Sequence, residues 1–290
     1  MRGCLVRFPR LLASGPRVSS AGSGASVRFS PKRASHGPLR RLPLLLMLLG
    51  LWAIWSADQL QPAAAATPES RQEMEEVIRQ YLHDHPEVIV DALRAMQTRE
   101  RQAQSERASE AIRAHADELF NAPEDPVGGT PRGTVTIVEF FDYQCPHSKR
   151  VFAPLRSLLA ADSDVRLVLK QFPILGPGSA VAAQAALAAQ VQGRYAALHD
   201  ALMEAAGPLD EPTVLRIATG AGLDVARLKT DMRGPAIGAM LERNLRLARL
   251  LGISGSPTFV ASTKLVPGEM TLEELQALVK ELRPAPGGSP

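Results

Sequence analysis

The sequence predicts an α/β fold in which helices cover one mixed β-sheet, with an α-helical stalk in front of it. Four short runs have the β-branched and aromatic composition of buried strands, and they cover residues 134–141, 165–172, 258–261 and 264–266. Between and after these runs, apolar residues recur at spacings of three and four, which is typical of helices. The order is therefore β-α-β, a helical block, then β-β-α. A right-handed β-α-β unit and a terminal hairpin can share one sheet.

The chain begins with the features of an export signal, and we interpret residues 1–57 as a basic leader with a signal peptide or signal anchor. Residues 1–41 carry nine Lys and Arg and no acid, the apolar run Leu42–Trp55 follows, and small residues come next at Ala63–Ala66. This is the order of a secretory signal, although the apolar run is short for a membrane span. We expect a periplasmic protein, either released or tethered to the inner membrane by an uncleaved N-terminal anchor.

The charge and the cysteines of the remaining chain narrow the possible functions. Residues 42–290 hold 24 Lys and Arg against 30 Asp and Glu, so they lack the basic excess of a nucleic-acid-binding surface.

The two cysteines are Cys4, in the leader, and Cys145. If the leader is removed, Cys145 cannot form a disulfide within its own chain. Exported proteins usually use cysteines in pairs, so we expect a single remaining cysteine to be functional.

The predicted stalk covers residues 72–120 and follows a linker at 58–71. Its first helix ends shortly before Pro86, which suits the first turn of a second helix. Residues 98–116 are rich in charged residues and poor in large apolar side chains, so this segment cannot build a core of its own. The few apolar anchors near its end are Ile112, Leu119 and Phe120. We therefore expect a homo-oligomer that assembles through residues 72–118.

The globular domain is predicted at residues 130–283, after a turn-rich boundary at 121–133. A large helical insertion occupies about residues 177–251 between the second and third strands. The tail at 284–290 is rich in Pro and Gly, and we expect it to be disordered.

Two local signals predict where helices begin in this domain. Pro146 suits the first position of the helix that follows the first strand. Thr271 and Glu274 have the spacing of a capping box, so we expect the last helix to run from about Leu272 to Leu282.

The chemistry is predicted where the first strand meets its helix, at Cys145. A cysteine at a helix N-terminus lies beside unpaired backbone N–H groups and the positive end of the helix dipole, and both favour thiolate over thiol. His147 adds a group that can carry positive charge. A buried apolar filler is the alternative for a lone cysteine, but a strand-to-helix turn ahead of Lys149 and Arg150 is expected to be exposed. We therefore identify Cys145 as the candidate nucleophile.

Two motifs carry a resemblance to a known family. The run Glu139-Phe-Phe-Asp-Tyr-Gln-Cys-Pro-His-Ser-Lys149 resembles the active-site region of the DsbA-like periplasmic thiol–disulfide oxidoreductases. Downstream, Gly252-Ile-Ser-Gly-Ser-Pro-Thr-Phe-Val260 is similar to the segment that carries the family's cis proline. Residues 72–120 resemble the N-terminal helical region of ScsC-like members, so the resemblance covers residues 72–283. It implies a thioredoxin fold with a large helical insertion.

The resemblance also implies roles for individual residues. Cys145 matches the nucleophilic cysteine, and His147 matches the middle histidine of the family motif. Glu139 matches a buried acid that accepts a proton, although a purely structural role is the alternative for it. The remaining matched site residues are Pro146, Ser256 and Pro257, of which the last two are expected to form a cis peptide bond that faces the cysteine and contacts substrate.

Ser148 departs from the family pattern, which has a second cysteine at this position. That second thiol attacks the mixed disulfide and releases the partner, and a serine cannot do so. The Ser148 hydroxyl can still hydrogen-bond the Cys145 thiolate. We therefore expect monothiol chemistry on exported proteins that contain cysteines or disulfides. The second thiol then comes from the substrate, from glutathione or from a membrane redox partner, and no cofactor is required.

Two functions of other classes remain as alternatives. One is a redox-inactive thioredoxin-fold chaperone that grips unfolded chains with its helical stalk. The other is a copper-handling protein, which follows only from the ScsC resemblance. The histidines His83, His85 and His115 fit no strong metal-ligand spacing. We predict no metal site and expect these histidines, and also His199, on solvated helix surfaces.

Overall fold

The computed structural model describes residues 4–5 and 68–283. The chain divides into two compact units, of which one contains the described residues 68–95 and the other contains 4–5 and 96–283. The predicted signal segment, most of the linker and the tail at 284–290 lie outside the described residues. Within the described ranges, no helix is both long enough and apolar enough to span a membrane.

The smaller unit consists of helix α1 (Pro68–Asp84) and the first turns of helix α2 (Glu87–Ala114). The break between the helices lies at His85 and Pro86, as the sequence predicts. Four apolar side chains of α1 are more than half exposed, namely Met74, Val77, Ile78 and Tyr81. An exposed apolar stripe of this kind is unusual for a helix that functions alone in water.

The larger unit contains a five-stranded sheet with the order β2-β4-β3-β6-β7. The strands in chain order are β1 (Cys4–Leu5), β2 (Val127–Gly129), β3 (Val135–Phe141), β4 (Val165–Gln171), β5 (Gly255–Ser256), β6 (Thr258–Ala261) and β7 (Lys264–Pro267). Strands β3 and β4 are parallel, and the other neighbours in the sheet are antiparallel. The predicted β-α-β unit and terminal hairpin therefore do share one mixed sheet. Strands β1 and β5 form a separate antiparallel pair.

The helices of this unit follow the predicted order. After α2 they are α3 (Ala116–Phe120), α4 (Pro146–Ala161), α5 (Pro177–Ala189), α6 (Tyr195–Glu204), α7 (Glu211–Gly220), α8 (Val225–Met232), α9 (Pro235–Leu250) and α10 (Leu272–Leu282). Helices α5 to α9 correspond to the predicted insertion. The capping box of Thr271 and Glu274 is present at the start of α10, which confirms that prediction.

The two faces of the sheet carry two separate hydrophobic clusters, because alternate residues of a strand point to opposite sides. Val135, Ile137 and Phe141 of β3 belong to the cluster beneath α4, α10 and the insertion helices. Val138 and Phe140 belong to the cluster on the other face. Glu139 therefore lies on the face of the insertion helices.

The second cluster includes side chains from the end of the predicted stalk. Ile112 of α2 and Leu119 of α3 are almost completely buried there, against Val138 and Phe140. The boundary between the two compact units lies between residues 95 and 96, and not in the turn-rich segment 121–133, because Ile112 and Leu119 help to cover the sheet.

Candidate active site

Cys145 lies where β3 leads into α4. The residue has extended backbone angles and forms the N-cap of the helix, and Pro146 occupies the first helical position as predicted. The Cys145 amide donates to the carbonyl oxygen of Asp142 at 3.0 Å, and its own carbonyl accepts from Lys149 at 3.1 Å. This backbone geometry places the sulfur at the positive end of a sixteen-residue helix.

The turn before Cys145 is held by Asp142, a residue that was not among the predicted site residues. Its buried carboxylate accepts from the amides of Gln144 at 2.8 Å, Ile174 at 2.8 Å and Leu175 at 3.1 Å. Ser148 is fully buried, and its hydroxyl accepts from the Asp142 amide at 3.4 Å. The signal for Asp142 is an aspartate two residues before a turn amide, which is the pattern of an Asx-turn.

The opposite wall of the site is the loop around Pro257. The Ser256–Pro257 peptide bond is cis, which confirms the prediction from the resemblance. The Cys145 sulfur lies 3.2 Å from the carbonyl oxygen of Ser256. Cys145 is fully buried, so the expectation of an exposed cysteine is wrong. The residues next to Cys145 in the sequence predict an exposed turn. The loop that carries Ser256, more than a hundred residues downstream, covers this turn.

Cys145 is disulfide-bonded in the structure, and the sequence contains one other cysteine, Cys4. The backbone of β1 pairs antiparallel with β5, so that Cys4 lies opposite Ser256 and Leu5 opposite Gly255. The expectation that Cys145 forms no disulfide within its own chain concerns the chain without its leader, and it stays a prediction.

His147 contacts Glu269, which was also not among the predicted site residues. The His147 Nδ1 atom lies against a Glu269 carboxylate oxygen, and Arg150 Nε lies 3.0 Å from each of the two carboxylate oxygens. The pKa of Glu269 is lowered to about 2, mainly by the guanidinium of Arg150 and next by His147. Glu269 is thus ionised at neutral pH. No sequence motif marks this residue, because it meets α4 only through the fold.

Glu139 is buried on β3 beneath the site, as predicted. Its Oε1 atom has no hydrogen-bond partner among the described residues, and burial raises the pKa of Glu139 to about 8. The carboxyl group lines a cavity of about 110 Å³ together with Phe152, Leu155, Tyr195 and His199. A carboxylic acid here is mostly neutral at pH 7, which avoids a buried charge.

His199 lies in this core, so its predicted position on a helix surface is wrong. Burial lowers the pKa of His199 to about 4, and its Nδ1 atom lies 2.9 Å from the Tyr143 hydroxyl oxygen. The ring stacks on Tyr195 with the ring centres 5.5 Å apart. The sequence pattern of α6 does not distinguish a core histidine from a surface one. No group of three or more His, Cys, Asp or Glu side chains suited to a metal occurs within the described part of the chain.

Two family models match this chain. The model described as the DSBA-like thioredoxin domain matches residues 136–280, which is half of the chain. The chain belongs to the DSBA-like thioredoxin domain family. The thioredoxin fold that the resemblance implied is therefore correct. The model described as the copper resistance protein ScsC N-terminal domain matches residues 71–103.

Solved structures agree with this assignment. A thioredoxin-like oxidoreductase from Silicibacter pomeroyi is 48% identical, with 57% of this chain and 95% of that chain covered and a TM-score of 0.56. A periplasmic thioredoxin-like protein from Salmonella enterica is 29% identical, with 58% and 94% covered and a TM-score of 0.50. The DSBA-like fold is typical of thiol–disulfide oxidoreductases.

Among curated proteins, the chain resembles one part of larger transporters. It is 30% identical over 174 residues to the Na⁺/H⁺ antiporter NhaA 3 of Salinispora tropica, which covers 57% of this chain and 27% of that protein. The chain thus spans about a quarter of the length of this relative.

Proposed function

We propose that the chain is an exported thiol–disulfide oxidoreductase that acts as a monothiol through Cys145. The observation that carries this proposal is the position of the Cys145 sulfur at the N-terminus of α4, 3.2 Å from the carbonyl oxygen of Ser256 beside the cis peptide bond. The cis-proline loop and the helix N-terminus meet at this sulfur. The reduced cysteine at the N-terminus of α4 is the corresponding nucleophile.

The proposed reaction consists of two exchanges with balanced atoms and electrons. The Cys145 thiolate attacks one sulfur of a substrate disulfide, forms a mixed disulfide and expels the other sulfur as a thiolate. A second thiolate, from the same substrate or from glutathione, then attacks the mixed disulfide. This step restores the Cys145 thiolate and forms a new disulfide between the substrate and the second thiol, or within the substrate. The serine at position 148 cannot supply the second thiolate.

The test uses a Cys4→Ser variant, so that Cys145 is the only cysteine in the chain. The reduced protein is incubated with oxidised glutathione at neutral pH, and the mixed disulfide is identified by mass spectrometry of the intact protein and its peptides. We expect one glutathione per chain at Cys145, released by added thiol. The matched control is the double variant Cys4→Ser/Cys145→Ser, which should remain unmodified. Absence of a mixed disulfide at Cys145 would contradict the proposal.

Export is the second part of the proposal. It rests on the basic, apolar and small-residue order of the leader and on the likeness to a periplasmic protein of Salmonella enterica. We expect the full chain, expressed in a Gram-negative host, to be recovered in the periplasmic fraction or on the outer side of the inner membrane. Accessibility to protease in spheroplasts measures this, and full protection from the protease would contradict export.

The exposed apolar stripe of α1 supports a third part, assembly of several copies through residues 72–118. Val77 and Ile78 are 68% and 51% exposed. Burying such side chains between copies is favourable by about 25 cal/mol per Å² of apolar surface. We expect a dimer or trimer by light scattering, and a monomer after Val77→Glu. A monomeric parent protein would contradict assembly.

The same stripe is the observation that favours the chaperone alternative. A binding protein of this kind would suppress the aggregation of an unfolded client equally well with Cys145→Ala. The oxidoreductase proposal expects that variant to lose all exchange activity, whatever happens to aggregation.

A further inference from the structure

Glu269 belongs to the loop after β7, and the backbone of this loop is tied to the cis-proline wall of the site. The Gly268 amide donates to the carbonyl oxygen of Pro257 at 2.9 Å. Gly268 has a φ of 97°, which glycine adopts readily and other residues rarely adopt. From there the largely buried Glu269 side chain reaches the first turns of α4, where it contacts His147 and Arg150. Glu269 therefore connects the two walls of the site.

The Glu269 carboxylate and the Arg150 guanidinium both meet His147 at its Nδ1 atom. The carboxylate is ionised and can only accept, so a hydrogen bond between these two groups requires a hydrogen on Nδ1. The Arg150 Nη2 atom lies 2.7 Å from the same nitrogen, but it is itself a donor and is also bonded to the carboxylate. Within the described chain, the polar partners of His147 are therefore on the Nδ1 side, and Nε2 is the ring nitrogen directed away from Glu269.

We infer that Glu269 is a positioning residue for the thiol site, which holds His147 so that its Nε2 edge serves the sulfur chemistry at Cys145. This inference rests on the proposed exchange reaction. His147 lies two residues after Cys145 in the first turn of the same helix. A carboxylate on one ring nitrogen fixes the orientation of an imidazole. A protonated imidazole near the sulfur favours the thiolate.

The carboxylate has two effects on a thiolate, and they have opposite signs. Acting directly through space, its negative charge disfavours the thiolate, so its removal should speed attack on a disulfide at acidic pH. Acting through His147, it holds the ring in place in the first turn of α4, so its removal should slow the attack. The neutral variant Glu269→Gln distinguishes the two effects by the direction of the change.

The experiment uses full-length variants in the Cys4→Ser background, reduced before use. The rate of attack on dipyridyl disulfide, which is uncharged at neutral pH, is followed from about pH 4 to about pH 9 by the absorbance of the released thiopyridone. We expect Glu269→Gln to move the half-maximal rate upward by about one pH unit, which makes attack about tenfold slower on the acidic side. The rate on the alkaline side should change little. The matched control Glu273→Gln removes one charge from an exposed position on α10 and should leave the profile unchanged.

Two further variants separate positioning from charge. In a His147→Ala background, Glu269→Gln should have no additional effect, because the residue through which Glu269 acts is gone. Glu269→Asp keeps the charge but shortens the side chain by one methylene. If Glu269 acts by positioning His147, attack by this variant should be slower, whereas a pure charge effect should leave the rate of attack unchanged. This variant also keeps the inference testable if Glu269→Gln does not fold, which thermal unfolding followed by circular dichroism reveals.

The outcomes distinguish failure of the positioning role of Glu269 from failure of the proposed function. If Glu269→Gln speeds attack, leaves it unchanged, or slows it equally without His147, the positioning role is refuted while the proposed function stands. If the parent protein does not react through Cys145 at all, the proposed function fails, and the inference fails with it.

Discussion

Replacing Glu139 with glutamine should change how the stability of this protein depends on pH. Glu139 is almost completely buried, one of its oxygens has no partner among the described residues, and burial raises the pKa of the carboxyl from 4.5 to about 8. The folded state therefore binds this proton more tightly than the unfolded state. Its stabilising contribution is fully present below about pH 4.5 and is lost as the pH rises through about 8. Glutamine has nearly the same shape and has no proton to lose.

The size of the effect follows from the same pKa values. A pKa difference of one corresponds to about 1.4 kcal/mol, so the free energy of unfolding should fall by at most about 5 kcal/mol between acidic pH and pH 8. About 3 kcal/mol of this loss is expected by pH 7. His199 has the opposite effect, because its lowered pKa destabilises the fold as the pH falls from 6.5 towards about 4. His199 is present in both proteins and cancels in their difference.

The assay is urea unfolding of the parent protein and Glu139→Gln at several pH values between about 5 and 8. We expect the difference in free energy of unfolding to move in favour of Glu139→Gln by several kcal/mol across this range. The exposed Glu273→Gln serves as the control and should remain parallel to the parent. Parallel curves for the parent and Glu139→Gln would refute the argument that Glu139 is a buried neutral acid.

Three further variants test other parts of the structure. Ser148→Cys supplies a second thiol at a buried position of α4, so we expect rapid release of mixed disulfides and a new dithiol activity in an insulin-reduction assay; no gain would argue that Cys145 does not form mixed disulfides. Leu119→Ala should lower the free energy of unfolding by about 2–5 kcal/mol in denaturant melts, because this side chain fills the core on the second face of the sheet. A loss below about 1 kcal/mol would place it outside the core. Asp125→Asn should cost about 3–5 kcal/mol by leaving buried Lys170 without its charge partner. The double variant Asp125→Asn/Lys170→Met should recover much of that loss. A double variant no more stable than Asp125→Asn would refute the explanation that the unpaired Lys170 causes the loss.

The elements with strong local signals were predictable from the sequence. Strand β6 occupies the predicted residues, and β3 differs by one residue, because short β-branched and aromatic runs rarely suit anything but a buried strand. The start of α10 was predictable from Thr271 and Glu274, whose side chains bond the backbone of their own turn. In each case the determining contacts lie within a few residues along the chain.

The features that the sequence did not reveal depend on distant parts of the chain. Strand β2 has the sequence Val-Gly-Gly, which has low strand propensity, and it forms only because its backbone pairs with β4. His199 is buried because Tyr143 and Tyr195 surround it. Glu269 reaches the site across more than a hundred residues of sequence. Residue patterns along one helix or loop contain no record of such neighbours.

The two-residue pairing of β1 with β5 suggests how such a site would select its clients. Beside Cys145, the two residues of β5 present main-chain groups for pairing. Any extended polypeptide can pair with these groups, whatever its side chains are. A cysteine in a finished globular protein is seldom on a free, extended stretch of chain, whereas one emerging from a membrane translocation pore usually is. Selection would then depend on the maturity of the client rather than on its identity. Under the proposed function, clients would be engaged while they are still unfolded, and their own folding would end the encounter.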